Sequence, residues 1–93
     1  MERINQHKDS LLGKNIRRIR LNKNIRTKDV VAQLQLYGVE ICRTTYSKVE
    51  MGISNPSVPL IMALKEIFDC DYADFFEKII DDWYTTSPSF KTI

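Results

Sequence analysis

The sequence predicts an all-α protein: a compact domain of five short helices around one core. Three observations predict it. Apolar residues recur at helical spacing nearly throughout the 93 residues. No stretch alternates apolar and polar residues as a half-buried strand would. Helix-stopping residues, Gly38, Gly52 and the run "SNPS", punctuate the pattern at short intervals. A chain of this length can bury one core and form one domain at most.

Leu12, Ile16 and Ile19 fall at i, i+4 and i+7, so a first helix is expected from about Leu11 to Lys23, with "NKNIR" breaking it. Val30, Val31 and Leu34 face inward on a second helix, with Tyr37 as a fourth candidate. Gly38 can end that helix in a left-handed turn. The third helix opens after Cys42. Ile41 then stands just before the cap and Tyr46 at the fourth helical position, the spacing of a hydrophobic staple. Tyr46 and Val49 make its inner face, and Gly52 ends it. Ser57 can cap a fourth helix with Pro59 in its first turn. Its buried stripe is Leu60, Ile61, Leu64, Ile67 and Phe68. Asp71 can cap a fifth, carrying Tyr72, Phe75, Phe76, Ile79, Ile80 and Trp83. That stripe is wide, so it is either a core face under helices one and four or partly a subunit contact through Phe75, Ile79 and Trp83. The domain is expected to span 11–84, between a flexible segment 1–10 and a frayed tail 85–93.

Charge is distributed unevenly. From Arg3 to Lys28 lie nine basic residues, opposed only by Glu2 and Asp9 nearby, whereas from Glu66 to Asp82 lie seven acids against Lys78 alone. Either these are two differing solvated helix faces, or one end binds a polyanion and the other binds something else. No apolar run is long enough to span a bilayer. The start, "MERINQHKDS", has no apolar signal core, and Cys42 and Cys70 are too few for a disulfide scaffold. A reduced, cytoplasmic setting is therefore expected.

Catalytic chemistry finds no constellation. The single histidine, His7, sits in a polar segment and reads as solvated. The cysteines lack metal-ligand spacing, and Gly13, Gly38 and Gly52 are too isolated to cradle a phosphate. No enzyme, cofactor or metal is expected. Nucleic-acid binding is easier to build. The outer face of the third helix carries Arg43, Thr44, Ser47 and Lys48. The short hydroxyls let a helix backbone approach a groove floor. The threonine methyl can meet a thymine methyl, and the two cations can reach guanine or phosphate. These four are the candidate base contacts. On its own the pattern is weak, because any exposed helix can carry Thr, Ser and Lys.

Order and spacing add to it. A basic "LLGKNIRRIRLNKN" precedes "IRTKDVVAQL", then "ICRTTYSKVEMGISNPS", "LIMALKEIF" and "DYADFF". From about Leu12 to Phe76 this resembles the Cro/CI-type helix-turn-helix proteins, also called the XRE family. The most specific piece is Arg43 to Glu50 followed by Gly52 and Asn55-Pro56-Ser57. The resemblance implies a lambda-repressor-like five-helix domain with helix three as recognition helix. It also implies binding as a homodimer to a two-fold related double-stranded operator. Expected phosphate contacts are Arg17, Arg18, Arg26, Thr27, Lys28, Thr45 and Asn55, with Arg20 adding general attraction.

Three departures stand beside the resemblance. "QLYGVEI" adds about five residues before the recognition helix, so either helix two is longer or the turn is wider. Arg26 and Thr27 stand where the family has a small polar cap and a glutamine. Cys42 replaces a capping Ser or Thr, at a cost of about 1 kcal/mol; it reads as a small half-buried residue, or as a reactive thiol beside Arg43. The leading expectation is a transcriptional regulator of repressor type. Two alternatives stay open: an antitoxin-like module that also binds a protein partner through its C-terminal helix, and an RNA-associated binder using the basic first helix.

Overall fold

The computed structural model describes residues 11–77, and the architecture is all-α. Five helices follow in order: α1 Leu11–Asn22, α2 Thr27–Leu36, α3 Arg43–Glu50, α4 Val58–Phe68 and α5 Tyr72–Phe75. They pack around one core built from Leu12, Ile16, Val30, Leu34, Tyr46, Val49, Leu60, Leu64, Phe68 and their neighbours. The inward stripes expected for α1 and α3 are buried, as are Leu60, Ile61, Leu64 and Phe68 on α4, whereas Ile67 on α4 and Val31 on α2 are half-buried against the core. No helix among the described residues is long and apolar enough to cross a membrane.

The first four helices close in the same way. The chain turns into the left-handed region at Asn24, Gly38, Gly52 and Asp69. At each, one amide reaches back across the last turn: Ile25 to the Arg20 carbonyl, Val39 to Leu34, Ile53 to Lys48 and Cys70 to Lys65. This pairing satisfies carbonyls that a helix end leaves orphaned. Glycine fills two of the four positions. Asn24 and Asp69 hold the others with φ of 58° and 51°, which these two residue types tolerate better than most.

The N-termini differ more. The Ser57 hydroxyl accepts the Leu60 amide at 3.2 Å, and Pro59 sits in the first turn of α4. On α5 the Asp71 amide donates to Asp74 Oδ2 at 3.0 Å. Neither Arg26 nor Cys42 makes a side-chain cap bond to its helix.

The structure resolves the long turn. α2 has 10 residues, and the connection over 37–42 is wide. It is anchored because Val39 and Ile41 are half-buried against the core. Tyr37, considered for the inner face of α2, is instead its C-cap and 53% exposed.

The expectation for Phe75 needs correction. Among the described residues α5 spans Tyr72–Phe75, with Phe76 as its C-cap at φ −115° and Glu77 helical again. Phe75 is fully buried in the core, and Asn15 on α1 donates to its carbonyl at 2.8 Å. That carbonyl would otherwise be an orphan at a helix end. Phe75 is therefore a packing residue and offers no surface to a second subunit. Ile79 and Trp83 lie outside the described residues, as do the segments 1–10 and 85–93.

Candidate nucleic-acid interface

Two contacts fix where α3 lies. The first is the close approach of α1. A Cβ added at Gly13 would stand 2.4 Å from the Val49 carbonyl oxygen and 2.7 Å from that of Glu50. Only glycine lets the start of α1 sit on the backbone at the end of α3. The second is a buried ion pair. Arg20 Nε donates to Glu50 Oε2 at 2.7 Å and its Nη2 to Oε1 at 3.1 Å, while Nη1 donates to the Ile25 carbonyl at 2.9 Å. The two side chains are only 10% and 5% exposed. The bidentate geometry is the arrangement that makes burial of two charges tolerable. The carboxylate holds the Arg20 guanidinium above its ordinary pKa although burial opposes this.

Tyr46 completes the same corner. Its ring is fully buried, and its hydroxyl makes no hydrogen bond of normal geometry. Burial foremost, and then the nearby Glu50 carboxylate, push its ionisation well upward, so the hydroxyl stays protonated. Arg20, expected to lend general attraction to a polyanion, is thus spent on Glu50 and is not a surface cation.

With α3 held this way, Arg43, Thr44 and Lys48 are exposed on its outer face, opposite Tyr46 and Val49. Ser47 is half-buried and lines an open groove of about 750 Å³ between α1, α3 and the start of α2. Lys14, Arg17, Arg18 and Thr27 line it too, and Leu21 and Met51 supply exposed apolar surface. Glu50 is the one carboxylate on that wall, and it is neutralised by Arg20. The groove therefore presents cations and hydroxyls with no uncompensated acid.

The expected phosphate contacts divide. Arg17 and Lys28 are exposed, and Thr27 is half-buried at the first helical position of α2. Arg18 leans the other way: its Nη2 lies 3.5 Å from Glu77 Oε2 and donates to Asn15 Oδ1 at 3.3 Å. Arg26 is paired with Asp29 at 3.2 Å. Both pairs are exposed and of the weak surface kind, so a phosphate can compete for either cation. Thr45 and Asn55 sit apart from the groove. They line a smaller pocket of about 420 Å³ behind the start of α3, with Cys42, Ser54 and Ser57.

Cys42 is exposed, not half-buried. Its Sγ lies 3.1 Å from Thr45 Oγ1. That hydroxyl above all, with the amides at the start of α3, lowers the thiol pKa. Burial pushes Cys70 the opposite way. Among the described residues no three His, Cys, Asp or Glu side chains gather within metal-binding reach.

Sequence reading missed Lys14, Asn15 and Gly13. Lys14 carried a signal, since Lys14, Arg17 and Leu21 share one stripe of α1 at i, i+3 and i+7. So did Asn15, a polar residue between Leu12 and Ile16 on the apolar stripe. Gly13 carried none beyond being a glycine inside a helix. Compared with protein-family models and with curated proteins, the chain finds no match.

Proposed function

We propose that this chain is a sequence-specific double-stranded DNA-binding protein, a transcriptional regulator of repressor type that works in the cytoplasm and catalyses no reaction. The single observation that carries the reading is the outer surface of α3. Arg43, Thr44 and Lys48 are exposed there, and a cationic groove formed with α1 and the start of α2, its one carboxylate Glu50 paired with Arg20, adjoins them. A helix with this face enters the major groove, where Arg43 and Lys48 reach guanine edges and Thr44 and Ser47 allow close approach. Arg17, Lys14, Thr27 and Lys28 take phosphates on either side. The Arg20–Glu50 pair and the Gly13 contact supply the rigidity that base readout requires, because they hold the C-terminal end of α3 against α1 at two places.

One helix reads too few base pairs to select a site in a genome. The reading therefore includes two copies about 34 Å apart on a two-fold related operator. Selection of bound sequences from a random duplex pool tests it. A palindrome with half-sites one helical turn apart is the expected result. An unenriched pool, or preferential competition by RNA over duplex DNA, would overturn it.

A further inference from the structure

The groove between α1 and α3 carries more than a polyanion requires. Lys14 and Arg17 suit phosphates, but Leu21 and Met51, exposed by 52% and 60%, stand on the same wall. A phosphate has nothing apolar to set against them. The lining fits a ligand that joins negative charge to large apolar groups. The chain itself contains one such segment. Residues 79–84 read "IIDDWY", and Asp81 and Asp82 are the only charged side chains between Lys78 and Lys91. The other segment outside the described residues, 1–10, does not match. It has no aromatic residue, and each of its acids adjoins a base, Glu2 beside Arg3 and Asp9 beside Lys8.

We propose that residues 79–84 of the same chain occupy this groove when no nucleic acid is bound, with Asp81 and Asp82 against Lys14 and Arg17, and Trp83 against Leu21 and Met51. The place where the described chain ends favours this occupant. Glu77 Oε2 lies 3.5 Å from Arg18 Nη2, and Arg18 also lines the groove. The segment therefore starts beside the groove wall. Lys14 and Leu21 stand on α1 within about 6 Å of Arg18 along the helix axis. From Glu77 to Asp81 and to Trp83 an extended chain reaches about 13 and 20 Å, so the span is covered with length to spare. A separate acidic peptide would need a high concentration to rival a segment tethered this close. Lys14 and Arg17 are exposed, and ion pairs at exposed cations are weak, so a duplex that engages the same cations displaces the segment. Occupation by the segment then lowers the apparent affinity for nucleic acid by the fraction of chains whose groove is open.

The competition rests on the nucleic-acid reading proposed above, whereas the docking is tested without nucleic acid. Trp83 is the only tryptophan of the chain, so its fluorescence reports on this segment alone. Emission and acrylamide quenching are measured on the full chain as wild type, as Lys14→Glu/Arg17→Glu, and as that variant combined with Asp81→Lys/Asp82→Lys. The wild type is expected to show a shielded Trp83. The groove variant is expected to quench at least about twofold more steeply with helix content unchanged, and the combined charge swap to restore the shielding. Trp83→Ser, which alters no charge, is expected to bind a random-sequence duplex at least about threefold tighter than wild type. A solvent-exposed Trp83 in the wild type would overturn the proposal. So would equal shielding in the groove variant, as burial in the core or against a second copy would give, or a Trp83→Ser affinity equal to that of wild type. Shielding that follows the charge swap in a chain that binds no duplex would overturn the nucleic-acid reading instead and leave the docking standing.

Discussion

Arg20 and Glu50, thirty positions apart, form a bidentate ion pair that closes over the buried Tyr46 hydroxyl and ties the end of α1 to the end of α3. The pair has a structural duty and an electrostatic one. It fixes the helix that carries Arg43, Thr44 and Lys48, and it neutralises the one carboxylate on the wall of the adjoining groove.

Removing one partner of this pair leaves the other charged, buried and alone. Glu50→Gln or Arg20→Met is expected to destabilise the fold by about 3–5 kcal/mol. Replacing both by apolar residues of similar volume is expected to cost far less, since no buried charge remains. Urea denaturation of the two single variants and the double variant measures this. Single variants within about 0.5 kcal/mol of wild type would refute the structural role.

Gly13→Ala tests the approach of α1 to α3. On propensity alone alanine would stabilise a helix by about 1 kcal/mol. Here the new methyl meets backbone oxygens at 2.4 and 2.7 Å, which cannot rotate away as a side chain could. The expected outcome is a net loss of about 1–3 kcal/mol, read as a lower denaturation midpoint. Gly38→Ala loses stability for a different reason, its φ of 81°, with open space around the new methyl.

The two kinds of cation should separate in binding assays. Arg43→Ala or Lys48→Ala is expected to cost about 1–3 kcal/mol on the preferred duplex and relax preference at one base pair. Lys14→Ala or Arg17→Ala is expected to weaken all duplexes alike and lower the salt slope by about one unit. Affinity titrations at several salt concentrations tell them apart. Identical behaviour of the two groups would contradict the division.

The thiols should react in order. Cys42 is exposed and its pKa is lowered by Thr45 and the α3 amides, whereas Cys70 is half-buried and raised by burial. The thiolate is the reacting form. Alkylation of Cys42 is thus expected to reach half its limiting rate below the ordinary thiol value of 9.0, and that of Cys70 above it. Mass spectrometry of iodoacetamide time courses at stepped pH gives both curves. Modification of Cys70 first would reverse the assignment. Thr45→Val is expected to shift the Cys42 curve upward by removing the hydroxyl contact.

The sequence by itself determined the helices that are closed by local chemistry. Gly38 and Gly52 end α2 and α3, Ser57 and Pro59 begin α4, and the 3.6-residue stripes of α1, α3 and α4 name most of the core. Each of these rests on residues within one or two turns of one another, so spacing alone reveals them. The outward direction of Arg43, Thr44 and Lys48 was legible for the same reason, because Tyr46 and Val49 define the opposite side of the same short helix. Tertiary structure decided the contacts between residues far apart in the chain. An arginine in a basic run reads as a surface cation until Glu50 is brought against it. Phe75 reads equally well as core or as interface until Asn15 reaches its carbonyl. Tyr37 continues the apolar spacing of α2, yet it caps the helix and turns outward. No local pattern encodes which of two apolar faces finds a covering helix, because burial is settled by how the helices cross, and at Gly13 that crossing depends on the absence of a single methyl group.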